Sequence, residues 1–225
     1  MKKRIKKYLL LEQLPSLRQL ILDVFEEMGE KMGVKFEPFI ISPSIASAGN
    51  LHKVLGENNF EFVIFNLDFP FATYTDFKCP KDFLIYLDLK YPIPKKLVII
   101  PHTTVFQILQ LSNLVSIDGF MDALDCNAET LRLAVQQLTD YSIFYSRTVI
   151  QLITKYIYNE DILGQQDYLI LNELSKGTPL NKIPKKLFIS RTTIQRRRTK
   201  MKEFFKVEGL PDSELVKRAQ QERFV

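Results

Sequence analysis

Apolar positions fall along this chain in two rhythms, and the change from one to the other divides it. In the first part, short and almost continuous apolar runs alternate with stretches whose apolar residues recur every three or four positions. The runs are Ile5–Leu11, Lys35–Ile41, Phe60–Leu67, Leu97–Ile100 and the weaker Ile117–Met121. Runs so short and so apolar predict strands of a parallel sheet covered on both faces. Between them the three-to-four spacing predicts helices. Pro15 opens one over Ser16–Met32, with Leu17, Leu20, Ile21, Val24, Phe25 and Met28 on one side. Others are expected at Asn50–Leu55, at Lys81–Leu89 after Pro80, around Val105–Leu111 and at Ala128–Leu138. The expected fold class is α/β, a doubly wound five-stranded parallel sheet. In such a sheet a site sits at the carboxyl ends of the strands, here near Glu12, Asn66, Pro101 and Met121.

From Ser146 onward the strand-like runs stop. Ser146–Tyr158 reads as a linker helix with Val149, Ile150, Ile153 and Ile157 in one stripe, suited to packing on the preceding domain or to a dimer seam. Four shorter helices follow. Gly177 ends Asp167–Lys176, Thr178 and Pro179 suit the cap and first position of the next, and Ser190 caps a long helix over Arg191–Phe205. Pro211 and Asp212 lead into a last helix through Ala219. The expected domains are 1–142, a linker helix at 143–162, and an all-α domain at 163–225.

Charge sharpens this division. Residues 1–160 carry 17 Lys/Arg against 18 Asp/Glu, whereas residues 161–225 carry 14 against 8. The net +5 of the chain thus belongs to its second domain. An apolar fraction of 46% and a charged fraction of 25% are ordinary for a folded protein. Cys79 and Cys126 lack partners at metal-binding spacing and read as free thiols in a reducing cytosol. His52 and His102 are too few for a catalytic or metal cluster. No run is apolar and long enough for a membrane span, and MKKRIKKYLLLEQL lacks the features of a signal peptide. The expectation is a cytoplasmic protein without cofactor, metal or membrane contact.

The cationic charge is most concentrated in TPLNKIPKKLFISRTTIQRRRTKMKEFFKV, residues 178–207. Between Asn181 and Lys202 stand nine Lys/Arg and no Asp or Glu, a stretch that repels itself unless a polyanion lies against it. Ile183, Leu187, Ile189, Ile194, Met201 and Phe205 recur between the charges, so the segment is a packed element. It reads as a short helix, a turn and a longer helix shaped for the DNA major groove.

With these residues in view, the chain resembles a two-domain response regulator of the LuxR/NarL class over nearly its whole length. LILNELSKGTPLNKIPKKLFISRTTIQRRRTKMKEFFKV follows the family pattern without a gap. Leu174 and Gly177 end its first helix, Ile183 and Leu187 hold the scaffold helix, and Ile189-Ser190 form the turn. Thr193-Ile194 take the Thr-Val pair, and Phe205 and Val207 the closing Leu and Val. The usual Asn-Lys-Glu falls on Leu180, Asn181 and Lys182, and the following Ala position is Pro184, which predicts a short or kinked helix. The family's histidine position is Arg197.

In the first domain the resemblance lies in layout, not in chemistry. The acidic pair after the first strand falls on Glu12 and Gln13, the phosphoacceptor aspartate on Asn66 with Pro70 as marker, the Thr/Ser on Pro101 and the lysine on Ala123. An amide is a poor nucleophile, and one carboxylate makes a poor Mg²⁺ site. The expectation is therefore a pseudo-receiver outside aspartyl-phosphate control; a shift of register would instead make Asp68 the acceptor.

The resemblance implies a sequence-specific DNA-binding transcriptional regulator with no enzyme activity. Its expected partner is double-stranded DNA, bound as a homodimer through the last helix. Arg191, Thr192, Gln195, Arg196 and Thr199 are the expected base contacts, and Lys182, Lys185, Lys186, Arg198, Lys200 and Lys202 the expected phosphate contacts. The alternative is a protein-interaction module of a signalling pathway, its receiver-like domain meeting a protein or small ligand and its helix-turn-helix auxiliary.

Overall fold

The computed structural model describes residues 3–41 and 51–225. In chain order, the first part contains β1 (Arg4–Leu11), α1 (Pro15–Met32), β2 (Val34–Ile41), α2 (Leu51–Glu57), β3 (Phe60–Asn66) and a single helical turn α3 (Phe71–Tyr74). There follow α4 (Pro80–Lys90), β4 (Lys95–Ile100), α5 (Val105–Ser112), β5 (Gly119–Asp122), α6 (Ala128–Thr139) and β6 (Phe144–Tyr145). The second part is helical: α7 (Arg147–Asn159), α8 (Gln165–Ser175), α9 (Ile183–Leu187), α10 (Arg191–Phe204) and α11 (Asp212–Gln221). By contacts the chain divides into Met1–His102 with Leu111–Val149, and Thr103–Gln110 with Ile150–Val225.

The strands pair in parallel in the order β2-β1-β3-β4-β5-β6. An α/β parallel sheet followed by an all-helical region is therefore the architecture, as the two apolar rhythms suggest. The sheet has six strands and not five. The sixth, Phe144–Tyr145, is two residues long, too short to leave a periodic signal, and joins β5 through Gly119↔Phe144 and Phe120↔Tyr145. Gly119 makes room for it: a Cβ there would lie 2.8 Å from Leu97 Cδ1 and 3.4 Å from the Phe144 carbonyl oxygen.

β3 and β4 are buried almost throughout, which is why they read as unbroken apolar runs. On one face, Leu10, Phe62, Ile64 and Ile99 pack with Phe25 of α1 and Leu131 of α6. Asn50, expected to open α2, lies outside the described residues. Among those residues no helix is long and apolar enough to cross a membrane.

Two sequence expectations for the helices are corrected. In α7 the buried residues are Val149 and Leu152, while Ile150 and Ile157, two of the expected stripe, are exposed. Thr178 and Pro179 do not start α9. Thr178 Oγ1 instead donates to the Glu173 carboxylate at 2.8 Å, and the helix begins at Ile183. Pro184 is tolerated because it occupies the first turn, where no intrahelical N–H bond is lost. The resulting five-residue helix is short, as that proline predicts.

Candidate nucleic-acid interface

α10 is fixed from both ends and from its inner face. Ser190, with extended backbone, accepts the Thr193 N–H on its hydroxyl at 3.1 Å and so caps the N-terminus. Ile194 and Met201 are buried, with Phe205 just beyond the helix, and across the turn Ile183 is fully buried. The half-buried Arg197 donates from Nη1 to Asp167 at 3.0 Å, and the same carboxylate accepts the Gly164 N–H at the start of α8. Arg197 thus joins α10 to α8 and stands among the structural residues.

With that face spent, Arg191, Thr192, Gln195, Arg196 and Thr199 lie on the opposite side, all exposed. Their spacing of one, four, five and eight residues from Arg191 puts them on one helical face. Arg191, Thr192 and Arg196 make no side-chain hydrogen bond or ion pair among the described residues. Gln195 accepts from Arg198 Nη1 at 2.6 Å, and the Thr199 hydroxyl donates to the Gln195 carbonyl at 3.2 Å. Leu180, Asn181 and Pro184 wall a cleft of about 750 Å³ along the first half of this face.

The six expected phosphate contacts separate into two groups. Lys182 and Lys185 are exposed with no partner among the described residues, and Lys200 makes only a long 3.4 Å contact with the Asp161 carbonyl. The other three are held. Lys186 pairs with Glu173 at 2.6 Å, while Arg198 and Lys202 share Asp212 at 2.6 and 3.0 Å. Lys202 also donates to the Leu210 carbonyl. Burial pushes the Glu173 and Asp212 carboxyls up, but hydrogen bonds from their cations outweigh it and hold both below the usual carboxylate range. The sequence reading missed these clamps. The signal lay just outside the cationic run, in acids at 173 and 212.

The strand ends of the first unit form a second polar site. Glu12 is fully buried at the end of β1. Its carboxylate accepts the Leu14 N–H at 2.8 Å and the Asn66 amide Nδ2 at 3.1 Å. Asn66 Oδ1 in turn accepts the Asp68 N–H at 3.0 Å, and Gln13 Nε2 reaches the Asp68 carbonyl at 3.4 Å. Burial raises the Glu12 pKa, opposed by these hydrogen bonds and by the Arg18 charge. The structure thus brings Glu12, Gln13 and Asn66 together, with Asp68 exposed in the loop beyond. Pro101 begins the turn after β4, and Ala123 starts a short 3₁₀ turn after β5. Among the described residues no group of three His, Cys, Asp or Glu could hold a metal ion.

No protein-family pattern matches the sequence, and no curated protein does. Solved structures match along almost the whole chain. One is RcsB from Salmonella enterica serovar Typhimurium bound to a promoter in the presence of phosphomimetic BeF₃⁻. It is 18% identical, with a TM-score of 0.60 over 95% of this chain and 97% of that one. A second, of two RcsB dimers bound to two parallel DNAs, is 17% identical, with a TM-score of 0.61 over 96% and 98%. The isolated REC domain of RcsB in the presence of BeF₃⁻ covers 66% of this chain at 15% identity and a TM-score of 0.53. These likenesses establish the fold.

They also correct the expectation of a pseudo-receiver outside phosphorylation control. The architecture that this chain matches over 95% of its length is that of RcsB, whose promoter-bound form and isolated REC domain both have structures in the presence of phosphomimetic BeF₃⁻. The side chains at Glu12, Gln13, Asn66, Pro101 and Ala123 therefore do not by themselves place the chain outside that control.

Proposed function

We propose that this protein is a sequence-specific DNA-binding transcriptional regulator of response-regulator build, acting in the cytoplasm without catalysis. The observation that carries this reading is the divided surface of α10. Its inner face is locked by Ile194, Met201 and the Arg197–Asp167 pair, and its outer face presents Arg191 and Arg196 without partners among the described residues. Arg pairs in bidentate fashion with guanine O6/N7, and Gln195 suits adenine N6/N7. Lys182, Lys185 and Lys200 supply phosphate contacts directly, whereas Lys186, Arg198 and Lys202 do so by exchanging a carboxylate for a phosphate. The RcsB complexes with DNA, including one of dimers, support the same reading and a homodimer on DNA, here through α11. The proposed domains are a first domain that runs through β6, beyond the expected boundary at 142, the linker helix α7 within 143–162, and the DNA-binding domain 163–225.

Control by phosphorylation, the mode favoured by the RcsB structures with BeF₃⁻, has an exposed carboxylate at the strand ends in Asp68. The test of the whole reading is binding of the full chain to a pool of random duplexes, with selection, at several salt concentrations. The expected result is an enriched sequence and an affinity that falls steeply with salt. Binding that neither enriches a sequence nor responds to salt would overturn it. Adding BeF₃⁻ to the same titration is expected to tighten binding to the enriched duplex, and D68N to remove the gain. An unchanged affinity would remove the phosphorylation arm and leave DNA binding standing.

A further inference from the structure

Phe188 is the most exposed of the large apolar side chains among the described residues, at 95%. It closes α9 with left-handed backbone, φ 56°, and its N–H and that of Ile189 both end on the Pro184 carbonyl. Glycine adopts that geometry freely, and phenylalanine does so at a cost in backbone strain. Three other non-glycine residues share this backbone conformation, and each has a use for its side chain. Lys206 and Arg223 carry charge, and the Tyr141 ring lies beneath the Lys95 ammonium at 5.2 Å. Phe188 is neither polar nor among the ring pairs of this unit, which join Tyr156, Tyr168, Phe204, Phe205 and Phe224. Nothing within the fold accounts for an aromatic ring there.

Its surroundings restrict what can cover it. Phe188 lies two residues before the Ser190 cap of α10, between Lys185 and Lys186 on one side in sequence and Arg191 on the other. No acid occurs from Asn181 to Lys202. A covering surface must therefore be anionic around the ring yet apolar where it touches. The major groove of duplex DNA offers that pairing, a thymine C5-methyl group set beside phosphates. In a helix-turn-helix the N-terminus of the second helix reaches the base edges, which brings the residues just before it to the same groove.

We propose that Phe188 is a base-contacting, specificity-determining residue that packs its ring on a thymine methyl group. The proposal rests on the DNA-binding reading above and adds a residue and a base to it. The left-handed turn leaves the ring exposed and open to a ligand.

The test uses the full chain as wild type and F188G, with the duplex enriched by the wild type, the same duplex carrying deoxyuridine for every thymidine, and a random duplex. Deoxyuridine lacks only the C5-methyl group. The wild type is expected to bind the deoxyuridine duplex about ten-fold more weakly than the thymidine duplex, a change of about 1.4 kcal/mol. F188G is expected to lose about ten-fold on the thymidine duplex and little more on the deoxyuridine one, because the two changes remove the same contact. The melting temperature of F188G should be no lower than that of the wild type, since glycine suits the φ of this position.

F188G binding the enriched duplex as tightly as the wild type would overturn the proposal. So would an equal loss on all three duplexes, which would place the ring on deoxyribose. Normal binding with lost transcriptional output would move Phe188 to a protein partner. Those three outcomes leave the DNA-binding reading intact, whereas a wild type that binds no duplex removes both.

Discussion

The strand ends of the first unit and the outer face of α10 are both polar, yet they treat their polar groups in opposite ways. At the strand ends the groups satisfy one another: Glu12 is closed by Leu14 and Asn66, and Asn66 by Asp68. On α10 the chain satisfies the cations it needs for packing and leaves the rest open. Arg197, Arg198 and Lys202 have carboxylate partners, while Arg191 and Arg196 have none among the described residues. A buried polar group must be paired because an unpaired one costs its full desolvation. An exposed cation carries no such penalty, and an unpaired one is available to a ligand. The difference supports the proposal that α10 is the surface that binds, whereas the Glu12–Asn66 pair is closed within the fold.

Arg196→Ala is expected to test this division with the largest effect. Arg196 is exposed and unpartnered, so its loss should leave thermal stability within about 0.5 kcal/mol. Affinity for the preferred duplex should fall by about 1–3 kcal/mol, with a much smaller loss on random DNA, because bidentate base contacts carry discrimination. Fluorescence anisotropy with both duplexes measures it. Equal losses on the two would reassign Arg196 to the phosphate backbone.

How legible each region is follows from the same contrast. β3 and β4 could be read because burial on both faces makes Phe62–Phe65 and Leu97–Ile100 apolar without a break. The scaffold of the helix-turn-helix could be read because Ile183, Ile194, Met201 and Phe205 keep helical spacing, and all four are buried. The two-residue β6 left no pattern, since its pairing depends on space at Gly119 and not on its own composition. α7 shows a different limit. Val149, Ile150, Ile153 and Ile157 fit a stripe, but the fold buries Val149 and Leu152, and periodicity alone could not choose between those faces. In α9 and α10 the cations were visible, but the partners of Lys186, Arg198 and Lys202 lie on α8 and α11. Sequence spacing did not reveal which charges are held.

That missing information gives the second prediction, at Asp212. Its carboxylate holds Arg198 and Lys202, so Asp212→Asn should destabilise the protein by about 1–2 kcal/mol near neutral pH. The Asp212 pKa is held low in the folded state. Its stabilisation is therefore present above the unfolded-state value and lost as pH falls through the folded one. The gap between wild type and variant in denaturant melts should accordingly close in acid. Freed of their clamp, Arg198 and Lys202 no longer have to exchange a carboxylate for a phosphate, so DNA binding should tighten at fixed salt. An affinity no higher than that of the wild type would show that neither cation reaches the backbone.

The smallest expected effect lies at the strand ends, where the polar groups are already paired. Burial raises the Glu12 pKa more than its hydrogen bonds and Arg18 lower it, so the fold favours the protonated acid. For a carboxyl raised in this way, the contribution to stability is fully present below the unfolded-state pKa and is lost as pH rises through the folded-state value. Glu12→Gln removes that titration. Because the variant also replaces one acceptor oxygen, its absolute stability is less informative than its trend: relative to the wild type, it should gain stability as pH rises from the unfolded-state pKa through the folded-state one, and no further above it. Chemical denaturation of both proteins across that range provides the measurement. DNA affinity at fixed salt and pH, in the absence of BeF₃⁻, should stay the same, since the pair maintains the strand ends and contacts no nucleic acid. A difference between the two proteins that stays constant with pH would mean that Glu12 titrates in the fold as it does in the unfolded chain, with its hydrogen bonds and Arg18 balancing burial. The strand-end site would then carry a negative charge at neutral pH, and the contrast with α10 would become one of sign.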